Sequence, residues 1–156
     1  MNAKLLITMI TMLFISVSFL FSQETALNQR KPVIIDEDLV IQISEITENA
    51  LYFPVEIDGI LLEIIAVKVH DGTIRTAFNT CMICYQSGKG YFVQVNTLLV
   101  CQNCGNRYRM CQVEMESGGC NPEPIFPENK AVTDESITIS VDLMREYKYL
   151  FDVERQ

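Results

Sequence analysis

Two Cys-x2-Cys knuckles, Cys81-Met82-Ile83-Cys84 and Cys101-Gln102-Asn103-Cys104, stand sixteen residues apart in the middle of the chain. Nothing else in the sequence restricts the fold as much. A two-residue gap lets both sulfurs of a knuckle converge on one point while amides of the turn donate to them. Two such knuckles separated by about 15–20 residues have the spacing of a four-sulfur metal site. Gly88 and Gly90 follow the first knuckle and Gly105 the second, where they permit close backbone approach. The spacing therefore predicts tetrahedral thiolate ligation by Cys81, Cys84, Cys101 and Cys104, suited to zinc or to a sulfur-ligated iron centre.

Two further cysteines complete the set. Cys120 lies in Ser117-Gly118-Gly119-Cys120-Asn121-Pro122. It can supply a further ligand, replace a distal one or stand beside the metal, and a plain surface turn is the competing reading. Cys111 follows Tyr108-Arg109-Met110 in a strand-like segment without glycine, and is expected to be a small buried apolar residue. Met82, Met110 and Met115 near the thiols bring in copper(I) as a lesser candidate, because that ion takes thiolate and thioether together. His70 reads as a solvated residue of a hairpin turn. Two other uses of the six cysteines remain open: structural disulfides, which an oxidising compartment favours, and a thiol–disulfide oxidoreductase. Neither knuckle opens an amphipathic helix, so the usual electrostatic activation of a redox thiol is missing.

The amino terminus points to export. Lys4 is followed by an uncharged apolar run from Leu5 to Phe21, and Ser16-Val17-Ser18 is a small-x-small cleavage pattern. Residues 1–23 are expected to be a signal peptide or, if retained, a membrane anchor. Residues 24–36 form a polar leader, and residues 37–153 the metal-binding domain. With 12 Lys+Arg against 20 Asp+Glu, the chain carries −8. That balance excludes nucleic acid as a partner, since phosphate binding needs a basic footprint. No Gly-rich loop ending in Lys-Ser/Thr is present, and His70 is the only histidine, so nucleotide chemistry and His-based triads are excluded too. No nucleophile–base constellation is visible, which leaves a carrier or accessory rather than a turnover enzyme.

Short β-branched and aromatic runs dominate the exported part. Leu39–Ile43, Leu51–Ile57, Ile60–Val69, Thr73–Phe78, Gly90–Val95, Leu98–Val100 and Ile137–Ile139 read as strands. Asp58-Gly59 and Asp71-Gly72 read as turns joining a meander. Ile60–Val69 is apolar enough to be buried on both faces. Residues 121–135, rich in proline, are expected to be a loop. Ser140 caps a predicted helix from Val141 to Phe151 with Leu143, Tyr147, Leu150 and Phe151 on one face. The expected fold is mainly β (α+β): a small antiparallel sheet with paired knuckles and one carboxy-terminal helix.

The ordered motif Asp71-Gly72-x-Ile74-Arg75-x-Ala77-Phe78-Asn79-x-Cys81-x2-Cys84, Gly90-Tyr91, Cys101-x2-Cys104-Gly105 and Gly118-Gly119-Cys120-Asn121-Pro122-x-Pro124 resembles the FtrD-like family over about residues 55–151. These are described as membrane iron–sulfur-containing proteins. The resemblance implies an iron–sulfur or iron centre outside the cytoplasmic membrane, in the periplasm. It also implies a part in bacterial iron uptake beside an iron permease or membrane redox partner, and electron transfer. Cys81, Cys84, Cys101, Cys104 and Cys120 match the motif positions, and Cys111 is additional.

Overall fold

The computed structural model describes residues 30–155. The export segment expected at residues 1–23 and residues 24–29 of the leader lie outside the described residues. In chain order the strands are β1 (Val33–Ile34), β2 (Leu39–Gln42), β3 (Leu51–Ile57), β4 (Ile60–Lys68), β5 (Ile74–Cys81), β6 (Phe92–Val95), β7 (Leu98–Cys101), β8 (Arg107–Arg109), β9 (Pro122–Pro124), β10 (Lys130–Val132) and β11 (Ser136–Ile139). Among the described residues one α-helix, α1 (Val141–Tyr147), continues as a 3-10 turn over Lys148–Phe151.

The strands divide into three sheets, ordered β1-β3-β4-β5-β9, β10-β11-β2 and β6-β7-β8. All pairings are antiparallel except the short β1–β3 contact, so the mainly antiparallel reading holds. The β3–β4 hairpin closes where predicted: Asp58 and Gly59 both take positive φ, 51° and 78°, as a two-residue turn between right-twisted strands requires.

Strand β4 explains the two-core architecture. Its side chains alternate across the sheet, and both sets are apolar. Leu62, Ile64 and Ala66 join Phe53, Val55, Ile57 and Phe78 in one core, with Ile41, Ile137, Ile139 and Met144 packed on them. Ile65 and Val67 join Ala77, Phe92, Leu99, Tyr108 and Val113 in the other, which also contains Cys81, Cys84 and Cys101. Helix α1 belongs to the first core. Ser140 caps it by accepting from Leu143 N at 3.2 Å, and Tyr147 stacks on Phe78 at 4.9 Å between centroids. The cysteines belong to the second, where the β6-β7-β8 sheet covers the opposite face of β5.

The stretch read as a loop over 121–135 contains two strands, β9 and β10. Pro122 and Pro124 are tolerated because β9 lies at the edge of the five-stranded sheet, where a missing N–H leaves no neighbour unpaired. Cys111 also departs from expectation: it is exposed, not core. The strand ends at Arg109, and a 3-10 turn over Met110–Gln112 points Met110 inward and Cys111 out.

Candidate metal centre

Each thiol is delivered by a different local device. Cys81 is the last residue of β5, and its N–H donates to Gly90 O at 2.7 Å. Cys84 N donates back to Cys81 O at 3.0 Å, closing the first knuckle. Ser87 then donates its N–H and Oγ to Cys84 O at 3.0 and 2.6 Å, which ties the knuckle to the next turn. Gly90 lies against this turn so closely that a Cβ there would stand 2.5 Å from Cys84 C and Tyr85 N. Only glycine fits.

Cys101 ends β7, and Gly105 N donates to its carbonyl at 2.9 Å to close the second knuckle. Gln102 N donates to Tyr91 O at 2.9 Å, lacing the two knuckles together. Cys120 comes from far along the chain. The β5–β9 ladder pairs Cys81 with Pro122, so Cys120 arrives beside the first knuckle. Asn106 Nδ2 donates to Cys120 O at 2.6 Å and Asn121 Nδ2 to Glu116 O at 2.7 Å, holding that turn.

The Sγ atoms of Cys81, Cys84, Cys101 and Cys120 all lie within 4.8 Å of one another. Cys81, Cys84 and Cys101 are 0, 5 and 1% exposed, Cys120 is half-buried and Cys104 is exposed. Cys104 lies outside that group of four, at its rim, with its Sγ 2.8 Å from Cys120 Sγ. Knuckle spacing alone pointed to Cys104 as the fourth thiol and to Cys120 as the fifth. The structure brings Cys120 into the compact group and sets Cys104 against it. The Gly118-Gly119-Cys120 turn marked Cys120 as a candidate ligand, but its place beside the first knuckle depends on the register of β9.

Burial and neighbours make the thiols unlike one another. Burial pushes Cys84 up to about 11. The hydrogen bond from Cys120 brings Cys104 down to about 7, with a backbone hydrogen bond from Asn106 helping. Burial raises Cys120 strongly, and the bond it donates to Cys104 adds to this. The set thus offers soft sulfur donors, three of them shielded from water by an apolar core. Other sequence candidates lie elsewhere. His70 is exposed at the turn after β4. Met115 is exposed, with its Sδ 2.8 Å from the Arg75 guanidinium, and Met110 is packed in the second core.

The family model described as membrane iron-sulfur containing protein FtrD-like matches residues 46–151. The chain belongs to the FtrD-like family. The FtrD-like match includes all six cysteines, the whole second core and the first core from Ile46 onward. No curated protein and no solved structure matches the chain. The FtrD-like description names a membrane protein; among the described residues no helix is long and apolar enough to cross a membrane.

Proposed function

We propose that this chain is an exported metal-binding protein that holds a single iron ion through Cys81, Cys84, Cys101 and Cys120. In this reading it serves as an electron carrier or accessory of a bacterial iron-uptake system, beside a permease or membrane redox partner. The observation that carries it is the compact group of four thiols, all within 4.8 Å. A tetrahedral ion with metal–sulfur bonds of ~2.3 Å has sulfur–sulfur edges of ~3.8 Å. The four Sγ atoms match that scale. An iron–sulfur cluster would spread its thiolates more widely, over two or more irons with sulfides between them, so the compactness of the group supports the single-ion reading. The family's iron–sulfur description and the thiol set favour iron as the ion.

A structural zinc is the second reading. Its support is that Cys81, Cys84 and Cys101 belong to the second core, so an ion there would join β5 to the β6-β7-β8 sheet as a cross-link. Anaerobic purification of the full chain, followed by metal analysis and an absorption spectrum, separates the readings. Iron with visible thiolate-to-metal bands supports the carrier. Stoichiometric zinc without colour supports the cross-link. Metal-free protein with rapidly reducible disulfides contradicts both and favours a thiol oxidoreductase.

A further inference from the structure

Five thiols surround a centre that has four positions, and they are not equivalent. Cys81 and Cys101 terminate strands, Cys84 is locked in a hydrogen-bonded turn, and all three are buried. They form a rigid tripod. Cys104 and Cys120 face each other at 2.8 Å on the outward side, inside the contact distance of two sulfur atoms and beyond the ~2.05 Å of a disulfide. Two sulfurs that close cannot occupy separate corners of one tetrahedron, whose edges are ~3.8 Å.

We propose that Cys104 and Cys120 are alternative occupants of one coordination position, and that their exchange is how the ion enters and leaves. This rests on the single-ion reading above. Cys104 is exposed on the second knuckle and Cys120 half-buried. Cys120 sits directly after Gly118 and Gly119, which both take positive φ, 86° and 77°. Glycines adopt that conformation without a Cβ penalty, and the turn so formed sets the Cys120 side chain beside Cys104, within reach of either position by side-chain rotation. In the inward state Cys120 completes the site with the tripod. In the outward state the metal–sulfur bond to Cys120 breaks as the bond to Cys104 forms. The proton lost by the entering thiol goes to the leaving thiolate, and no electron is transferred. With Cys104 bound, the ion is presented at the surface, where an external thiolate can displace it. The partner this serves is a thiol-bearing donor or acceptor of the same ion, and the domain becomes a hand-over site as well as a holder.

The test uses the full chain loaded anaerobically with one equivalent of Co(II), whose absorption reports thiolate number, and a dithiol chelator as acceptor. Cys104→Ala is expected to hold one ion and transfer it at least tenfold more slowly than the parent. Cys120→Ala is expected to hold the ion through Cys104 and transfer it at least threefold faster. The double variant is expected to bind at least a hundredfold more weakly than either single one. In the loaded parent, iodoacetamide should modify Cys104 while the ion stays bound, a reading that needs no variant to fold. Transfer at the parental rate by Cys104→Ala, or Cys120→Ala as weak as the double variant, overturns the exchange while leaving the metal site standing. Protection of Cys104 from iodoacetamide until the ion is lost overturns it as well. A parent chain that binds no ion overturns the metal reading itself, and the exchange with it.

Discussion

Cys81 stands opposite Pro122 in the β5–β9 ladder, and that pairing carries Cys120 onto the thiols of the first knuckle. The sheet edge and the metal site are therefore one construction. An ion that binds only the folded chain stabilises it by mass action, by ~4 kcal/mol when free ion is a thousandfold above Kd. Removing the ion with a chelator should lower the thermal midpoint of the full chain markedly. An unchanged midpoint would separate site from fold.

The thiols should sort by position. Cys81→Ala and Cys101→Ala each remove a buried corner and are expected to lose more metal affinity than the ~10–100-fold typical of supporting residues. Cys111→Ala should hold metal like the parent, since Cys111 is exposed on a 3-10 turn. Competition with a chromophoric chelator measures this. Equal losses in all three would contradict the placement of the site.

Gly90→Ala tests the knuckle packing. The added Cβ meets backbone atoms of Cys84 and Tyr85 at 2.5 Å, and backbone cannot step aside as a flexible side chain would. Overpacking of this kind costs ~1–3 kcal/mol or more. The urea midpoint should fall, and metal content should fall with it. An unchanged midpoint would mean that the two segments are less closely packed.

Glu114 and Lys130 form a buried ion pair, their side chains 6 and 3% exposed, and both also bond to Thr76 on β5. Lys130→Met leaves the Glu114 carboxylate buried and unpaired, which costs ~3–5 kcal/mol. Adding Glu114→Gln removes that charge and should restore much of the loss. Denaturant melts of both variants check it, and a double variant no better than the single one would count against the pair.

Tyr52 carries the clearest pH signature outside the thiols. Its hydroxyl oxygen accepts from Gln94 N at 2.9 Å. Burial pushes its pKa up to about 12 from 10.0. Between those values the folded chain holds a proton that the unfolded chain has lost, so stability should fall as pH rises from 10 through 12. Phenolate absorbance, with Tyr52→Phe as the difference, should place one tyrosine at the high end. Titration of every tyrosine near 10 would contradict the burial of this hydroxyl.

Local signals made most of the fold legible. Asp58-Gly59 named its turn, Ser140 its helix cap, and the unbroken apolar run of β4 its burial between two cores. Cys81, Cys84 and Cys101 were legible for the same reason, since a knuckle is a local motif. What depended on distant pairing was not. Pro122 and Pro124 read as loop residues because nothing nearby in sequence shows that β9 is an edge strand. That same hidden strand places Cys120, so the fourth thiol of the compact group came from register rather than spacing. Cys111 misled because a strand-like composition turned into a 3-10 turn after Arg109.

The central claim is a single ion held by cysteine sulfur. X-ray absorption at the metal edge of the full chain, purified anaerobically, measures it most directly. The expected result is one metal per chain with four sulfur neighbours at ~2.3 Å and no second metal in range. A short metal–metal distance accompanied by acid-labile sulfide would contradict it.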